Sequence, residues 1–337
     1  MKLLLVPDPT SPQGEDAFCR EIEKRAEKRG HEARIEAVPN GPLEATLAQL
    51  ALSGFAHDSD FVVINSLQPA ALLAAKAAGR SAAVRLIDSY AAAPPKALEE
   101  VRALALKADL ILVPSLHLAE VVRSWGLNGS VKQVPYAYDR IMAQQIALVT
   151  IRASKPVFQI VASGPLNEAT RPGFEVLLSA LSRLRIDCHL SVIGDGPALP
   201  ALKARAQQYV ITDKVAFMGA MPHAKMMEFF RASKAYIDPC GSEGFPTLAL
   251  HALSEGCPVI AARAGAVGEL IRDGENGLLF NPGDPLALSE AIVTLWSVRG
   301  LSLRLIAEGI KTVGNHSWDA TVGALFEAVE SAAKPAP

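Results

Sequence analysis

The chain has 337 residues, of which 50% are hydrophobic and 20% are charged, so it is long enough for two globular domains with full-sized cores. Its formal net charge of −2 at pH 7 lacks the basic excess typical of proteins that bind nucleic acid, so no nucleic-acid partner is expected. The four cysteines show no CxxC spacing, which argues against a zinc site and a disulfide framework and indicates a reducing cytoplasm.

Short apolar runs alternate with helical patterns through the first half of the chain, as in a parallel sheet covered by helices. The first run is too short for a signal peptide, and Pro7 and Asp8 interrupt it, so it is predicted to be a buried strand. A helix predicted at 15–29 ends at Gly30, a typical C-cap residue. The predicted strands of this half are KLLLVP, EARIEAV, FVVINS, AAVRLID, LILVPS and VKQVPY.

The second half repeats the alternation, which predicts a second doubly wound domain with the seam near 145–155. Helices are expected over 286–313, and an amphipathic helix from Trp318 to Ala333. Ligands of such sheets bind beyond the carboxyl ends of the strands, so the cleft between the two domains is the expected site. The predicted strands are VFQIVAS, HLSVIGD, VAFMGA, AYIDPC, PVIAAR and GLLFNP.

The stretch GSEGFPTLALHALSEG places a helix start beyond a strand. Pro246 suits the first helical position, and the backbone N–H groups of Thr247 and Leu248 are then expected to be free to bind phosphate at the positive helix end. Glu243 lies just outside, where a carboxylate can accept hydrogen bonds from hydroxyl groups. His251 lies one turn beyond Thr247 on the same face. The alternative is that Glu243 and Thr247 only cap the helix.

Three other loops follow predicted strands. Gly164 permits a tight turn, and Arg171, expected before a helix at 174–184, is placed to reach a phosphate. VIGDGPALP lacks the last glycine of GxGxxG, which disfavours a nicotinamide site. The loop after the first strand offers only Gly14 for close approach to an anion.

Together these stretches resemble the family 4 glycosyltransferases, which are retaining enzymes with the two-domain GT-B fold. VIGDGPALPALKARA, AYIDPCGSEGFPTLAL and SEGCPVIAARAGAVGELIRDGENGLLFNPGD resemble the donor domain of the family, and KRGHEARI, ADLILVPS and VPYAYDR resemble its acceptor domain. The resemblance implies two Rossmann-like domains facing across a cleft. It assigns 1–150 to the acceptor side, 151–315 to nucleotide-sugar binding, and 316–337 to a helix that crosses back to the first domain.

The resemblance also assigns roles near the donor, with departures. Of the two glutamates that face the nucleotide sugar in the family, the first matches Glu243, and the second, which grips the ribose, falls on His251. A neutral imidazole accepts one hydrogen bond where a carboxylate accepts two. The family's phosphate-loop arginine falls on Pro165, and a histidine that touches the transferred sugar falls on Ile87, although Asp88 follows it.

The implied activity is that of a retaining, metal-independent glycosyltransferase. It would move a sugar from a nucleoside-diphosphate sugar to a carbohydrate, lipid-linked or small-molecule acceptor, without a cofactor. The implied contacts to the reacting sugar are Glu243 and Asp88. Those to the diphosphate are Gly14, Gly164, Arg171, Phe245, Thr247 and Leu248. His251 would contact the ribose, and the base would lie near Met218, Gly219 and Cys240.

Because several donor positions differ, a second interpretation stays open. In it the chain is a non-catalytic homologue that binds a nucleotide, a glycan or a partner protein. A cytoplasmic location is expected for both, with peripheral contact at the inner face of the membrane left open. The sequence does not indicate an oligomeric state.

Overall fold

The computed structural model describes residues 1–7, 13–39, 42–87, 95–127, 131–138, 157–242 and 244–333. The chain divides into two compact units. Unit 1 comprises Met1–Ala137 and Ser317–Pro337, and unit 2 comprises Tyr138–His316. The seam predicted at 145–155 lies outside the described residues.

Unit 1 contains a parallel sheet of six strands in the order β2-β1-β3-β4-β5-β6. Helices cover both faces of such a sheet, so its inner strands are mostly apolar runs, and all five residues of Phe61–Asn65 are buried. The edge strand Glu32–Ile35 instead alternates between exposed and half-buried residues. Each strand coincides with one of the predicted runs. The strands are β1 (Lys2–Val6), β2 (Glu32–Ile35), β3 (Phe61–Asn65), β4 (Ser81–Arg85), β5 (Leu110–Val113) and β6 (Val131–Gln133).

The helices of unit 1 connect these strands. The first begins at Gln13 and continues as a 3-10 turn, Glu27–Arg29, which Gly30 closes with a φ of +74°. The predicted end is therefore confirmed, but the start at residue 15 was wrong, and Gly14 lies in the first helical turn instead of a loop. The helices are α1 (Gln13–Ala26), α2 (Leu43–Leu52), α3 (Pro69–Ala77), α4 (Pro95–Ala105) and α5 (Leu116–Ser124).

Unit 2 contains a second six-stranded parallel sheet, in the order β9-β8-β7-β10-β11-β12. The strand order reverses between β7 and β10, which leaves a crevice at their carboxyl ends. All six strands were predicted. They are β7 (Phe158–Ser163), β8 (Cys188–Ile193), β9 (Val215–Gly219), β10 (Ala235–Asp238), β11 (Val259–Ala262) and β12 (Leu278–Phe280).

The helices of unit 2 enclose this sheet. Two predicted starts were wrong by a few residues. The helix expected at 174–184 already begins at Arg171, and Pro246 precedes the helix that it was expected to open. The helices are α6 (Arg171–Arg183), α7 (Leu199–Gln208), α8 (His223–Ala232), α9 (Thr247–Ser254), α10 (Val267–Leu270), α11 (Pro285–Ser297) and α12 (Leu301–Gly314).

The last helix, α13 (Trp318–Ala333), has the predicted bounds and belongs to unit 1. Its buried face, which includes Leu325 and Phe326, packs into the core formed by β1, β3 and α1. The guanidinium of Arg29 donates to the carbonyl of Asp319 at 2.8 Å. The C-terminal helix therefore returns to the first domain, as the resemblance implied.

Unit 2 begins and ends at neighbouring positions. The backbone N–H of Tyr138 donates to the carbonyl oxygen of His316 at 3.2 Å. Within the described ranges, no single helix combines the length and apolar character needed to span a membrane. The pair α11 and α12 satisfies that test only together, and the two helices are bent by 101°.

Candidate functional site

A pocket of about 220 Å³ lies at the carboxyl ends of β7 and β10 in unit 2. This is the point at which the strand order reverses, where doubly wound sheets bind their ligands. The lining comes from 163–165 after β7, from the first turn of α6, from 238–242 after β10, and from 245–248 at the start of α9. The predicted donor residues that meet in it are Gly164, Cys240, Phe245, Thr247 and Leu248.

The start of α9 presents backbone donors to this pocket. Pro246 occupies the N-cap position and supplies no side-chain cap. The N–H of Thr247, expected to be free, instead donates to the carbonyl of Phe245 at 2.7 Å. Among the described residues no hydrogen bond uses the N–H of Leu248 or Ala249. These two amides therefore remain for an anion at the positive end of the helix.

Asp238 shapes the loop that follows β10. Its Oδ1 accepts the N–H groups of Cys240 and Gly241 at 3.2 Å and 3.0 Å, a turn in which an aspartate replaces a backbone acceptor. Burial raises the pKa of the Asp238 carboxyl, although the two N–H groups act in the opposite direction. Sequence reasoning missed this residue, although Asp-Pro-Cys-Gly after a strand is a turn signal.

Cys240 contributes a thiol to the pocket wall. Its Sγ donates to the carbonyl of Thr170 at 3.4 Å. Burial, and then the neighbouring Asp238, raise the pKa of the Cys240 thiol to about 12. The thiol is therefore protonated at neutral pH, which suits a contact residue and not a nucleophile or a metal ligand.

The two glycines of VIGDGPALP are required by close packing of backbone segments. A Cβ on Gly194 would lie 1.9 Å from the carbonyl oxygen of Gly164, and one on Gly196 would lie 2.3 Å from that of Leu166. Hydrogen bonds join the same two loops, since the N–H of Leu166 donates to the carbonyl of Asp195 at 2.9 Å. The 194–196 loop therefore packs directly against the loop that contains Gly164 and holds it in place.

Gly173 permits a similar approach between α6 and the loop after β10. A Cβ at this position would lie 2.6 Å from both the carbonyl oxygen of Pro239 and the Sγ of Cys240. Both neighbours belong to the pocket wall. The start of α6 is therefore held directly against the wall, a contact that sequence reasoning missed.

We expect Gly173→Ala to displace the 239–240 loop, because the backbone oxygen beside the new methyl group cannot rotate away. The cost should be about 1–3 kcal/mol in the free energy of unfolding, with weaker binding of nucleoside diphosphate in the pocket. Gly268→Ala is the matched control, since it is also helical and has nothing within 4 Å of the added Cβ. Thermal unfolding and calorimetric titration of both variants measure the two effects. Equal behaviour of the variants would contradict the steric argument.

Arg171 is not among the residues that line the pocket. Its guanidinium pairs with Glu168 at 3.1 Å, and the two side chains are 40% and 69% exposed, respectively. The preceding turn is fixed by Asn167, whose Oδ1 accepts the N–H groups of Ala169 and Thr170 at 3.0 Å. The predicted contact of Arg171 with a phosphate stays a prediction. An exposed pair of this kind contributes little and is easily exchanged for another anion.

His251 is buried on α9, one turn beyond Thr247, with 6% of its surface exposed. Its Nδ1 lies 3.1 Å from the Nε2 of His223, at the start of α8. The Tyr138 ring packs on its other side, with ring centroids 4.3 Å apart. Burial, and then the charge of His223, lower the pKa of His251 to about 3. The side chain is therefore a neutral imidazole held by two aromatic neighbours.

Two charged side chains near this histidine pair form an ion pair with each other. Glu255, which follows α9, accepts from Arg231 of α8 at 2.5 Å and 3.3 Å. Burial lowers the pKa of His223, although Glu255 acts in the opposite direction. His223 was not identified from the sequence, because nothing in a local pattern pairs residues that are 28 positions apart.

The neutral state of His251 predicts a pH effect on stability. The folded pKa is about 3 and the unfolded value is about 6.5, so only the unfolded chain gains a proton between these limits. The contribution is present above pH 6.5 and is lost as the pH falls, by about 2 kcal/mol at pH 5. His251→Gln removes the titrating group. We expect the unfolding midpoint of the unmodified chain to fall about 4–8 °C more than that of the variant between pH 7 and pH 5. Equal falls would contradict the neutral assignment.

The remaining predicted residues lie outside this pocket or outside the described part of the chain. Met218 is 42% exposed, and Gly219 has a φ of +71° at the end of β9. Glu243 and Asp88 lie outside the described residues. Within the described ranges, no three histidine, cysteine, aspartate or glutamate side chains are grouped to hold a metal ion.

Residues 157–297, which contain the pocket, match the protein family described as "Glycosyl transferases group 1". The chain is 37% identical over 121 residues to a D-inositol 3-phosphate glycosyltransferase of Acidothermus cellulolyticus, over 36% of this chain and 27% of the relative. It is 29% identical to a phosphatidyl-myo-inositol mannosyltransferase of Mycobacterium leprae, over 48% of this chain and 44% of the relative. The chain thus spans less than half the length of these relatives.

Longer matches include the lipopolysaccharide core biosynthesis glycosyltransferase LpsE of Rhizobium meliloti, 27% identical over 66% of this chain and 64% of the relative. Among solved structures, Anabaena Alr3699/HepE in complex with UDP and glucose superposes with a TM-score of 0.79 at 18% identity, over 98% of this chain and 100% of the other. Sucrose-phosphate synthase from Thermosynechococcus elongatus gives 0.75 at 19% identity, with the same shares covered. At these identities the likeness shows the fold alone. The fold predicted from the sequence is thereby confirmed: the chain has the two-domain α/β fold of the GT-B glycosyltransferases, and its residues 157–297 resemble the group 1 glycosyltransferases.

Proposed function

We propose that the chain is a retaining, metal-independent glycosyltransferase that moves a sugar from a nucleoside-diphosphate sugar to a carbohydrate, lipid-linked or small-molecule acceptor. The observation that carries the proposal is the α9 helix start. Two backbone amides, those of Leu248 and Ala249, have no hydrogen-bond partner among the described residues, and Leu248 lines a pocket at the strand-order reversal, inside the residues that match the family. The glycosyltransferase relatives support sugar transfer, and UDP in the HepE structure supports a nucleotide-sugar donor.

The diphosphate is the group that this pocket suits. Its volume of about 220 Å³ is below the roughly 300–1,000 Å³ of a site for a whole ligand, so the remainder of the donor extends beyond it. The amides of Leu248 and Ala249 bind the phosphate oxygens, and the Thr247 hydroxyl and the Gly164 loop complete the contact. Arg171 exchanges its exposed pairing with Glu168 for the diphosphate. Preorganised donors of this kind stabilise the negative charge of a leaving diphosphate without a metal ion.

The other parts of the donor are assigned to the remaining residues predicted from the sequence. Glu243 holds hydroxyl groups of the transferred sugar, Asp88 contacts the sugar or the acceptor, and His251 meets the ribose. The base is assigned to Met218, Gly219 and Cys240, and Phe245 and Gly14 are assigned to the diphosphate. The acceptor hydroxyl attacks from the face that the diphosphate leaves, so the diphosphate itself takes the proton and the sugar keeps its anomeric configuration.

Calorimetric titration with UDP, GDP and ADP, followed by a hydrolysis screen over nucleotide sugars, tests the proposal. At least one nucleoside diphosphate should bind, and the matching sugar nucleotide should be hydrolysed equally with and without EDTA. Absence of binding by all three overturns the proposal. Loss of turnover in EDTA contradicts metal independence, and an inverted product anomer contradicts retention.

A non-catalytic homologue is the second candidate. It is favoured by His251 and Pro165, which occupy positions where the family 4 glycosyltransferases have a glutamate and an arginine. Nucleotide binding without turnover of any sugar nucleotide would support it. Cytoplasmic location, and peripheral contact with the inner face of a membrane, belong to both candidates as proposals and are tested by fractionation of cells that express the chain.

A further inference from the structure

The ribose of a bound nucleotide lies close to the side chain at position 251, if a diphosphate occupies the α9 helix start as proposed above. The ribose is bonded directly to the inner phosphate. Side chains at i and i+4 of a helix are about 5–6 Å apart, and they lean toward the helix start. His251 does not line the pocket itself, but it is the next polar side chain of α9 on the face that carries Thr247.

Only one ring nitrogen of His251 remains for that contact. The Nδ1 is engaged by the Nε2 of His223 at 3.1 Å. The rings of His223 and Tyr138, with centroids 4.7 Å and 4.3 Å away, enclose the imidazole and oppose a flip. Among the described residues, none makes a hydrogen bond with the Nε2 of His251. His223 thus acts as a positioning residue that leaves the Nε2 as the single available polar atom.

The imidazole is neutral, since burial and the neighbouring His223 lower its pKa, and the nearby Glu255 is occupied by Arg231. In either tautomer the Nε2 makes one hydrogen bond, as donor or as acceptor. A carboxylate, by contrast, accepts from both vicinal hydroxyl groups of a ribose with charge-assisted bonds. Because the imidazole makes a single hydrogen bond between neutral groups, and makes it to either hydroxyl, removal of the 2′-hydroxyl alone should lower the affinity only slightly.

We infer that this donor site distinguishes ribose from 2′-deoxyribose only weakly, so that sugars linked to 2′-deoxyribonucleoside diphosphates belong to its donor class together with those linked to ribonucleoside diphosphates. The determinant is the His223–His251 pair. The inference rests on the proposed function and goes beyond it by naming which donors the site admits.

The test compares nucleotides that differ in one hydroxyl group. UDP, GDP and ADP are titrated beside dUDP, dGDP and dADP into the full chain, and the tightest-binding pair is used. We expect the two Kd values of that pair to differ by less than about fivefold, as for loss of at most one neutral hydrogen bond. A larger preference for the ribonucleotide overturns the inference but leaves the proposed function intact. Failure of all six to bind overturns both.

His251→Glu supplies the second measurement. A carboxylate supplies two hydrogen-bond acceptors for the ribose hydroxyls. We therefore expect the ratio of the deoxyribonucleotide Kd to the ribonucleotide Kd to be at least fivefold larger in the variant than in the unmodified chain. An unchanged ratio in a folded variant overturns the inference, because position 251 would then not contact the ribose. The matched control is His57→Glu, on an exposed loop of unit 1, which should leave the ratio unchanged. If His251→Glu does not fold, the ratio of the unmodified chain decides alone.

Discussion

Glu243→Ala should abolish sugar transfer, with a loss of at least 10²–10³-fold in kcat, while nucleoside diphosphate binds with nearly unchanged affinity. The reason is that different groups of the protein are proposed to contact the phosphates and the sugar of the donor. In the proposed arrangement the phosphates bind backbone amides of α9, which the substitution does not touch. The carboxylate is proposed to hold the sugar hydroxyls, through contacts that strengthen only as the sugar moves toward the transition state.

The measurements are initial rates of transfer or donor hydrolysis, and calorimetric affinity for the free nucleotide. Glu275→Ala is the matched control, because this glutamate is exposed and pairs with the neighbouring exposed Arg272; it should keep full turnover. Full turnover by Glu243→Ala would refute its place beside the sugar. A parallel loss of nucleotide affinity would place it on the phosphates or the ribose instead.

Gly194→Ala should be among the most destabilising single substitutions in unit 2. The added Cβ would lie 1.9 Å from the carbonyl oxygen of Gly164, a backbone atom that cannot move without the whole loop. The φ of +142° also lies in a region that side chains rarely adopt. We expect a loss of more than about 4 kcal/mol in the free energy of unfolding, the range reserved for severe steric or packing defects.

Gly283→Ala separates the two causes. Its φ is +78°, but nothing lies within 4 Å of the added Cβ, so only the backbone strain of about 1–2 kcal/mol should appear. Urea unfolding of both variants, followed by circular dichroism, gives the comparison. Similar midpoints for the two would show that the 164 and 194 loops separate readily, and the packing argument would be wrong.

The strands were predictable because each sheet is parallel and covered on both faces. The resulting pattern is a continuous apolar run, such as PVIAAR, in which β11 (Val259–Ala262) is buried throughout. The amphipathic pattern of α13 also predicted its bounds. The first residues of the helices were harder to predict from the sequence. Whether Arg171 or residue 174 begins a helix depends on the Asn167 turn before it, and such turns follow from side-chain bonds that a periodic pattern does not contain.

The candidate site was predictable where it follows strands and unpredictable where it depends on contacts between distant segments. Thr247 and Leu248 line the pocket, but the N–H of Thr247, which was expected to be free, donates to the carbonyl of Phe245. The partner of His251 comes from α8. Gly194 drew attention as part of an incomplete nucleotide motif, whereas its role in the structure is to admit a neighbouring loop.

The hydrogen bond between Tyr138 and His316 brings the two ends of unit 2 together, which matters for engineering of the chain. Unit 2 leaves and rejoins the remainder of the polypeptide at a single spot, so it is topologically an insert between β6 and α13. A polypeptide cut to 138–316 would have adjoining ends, the condition under which circular permutation and grafting into another host succeed. Unit 2 is thus a segment that can be excised as one piece, and a few linking residues would suffice to join its two ends.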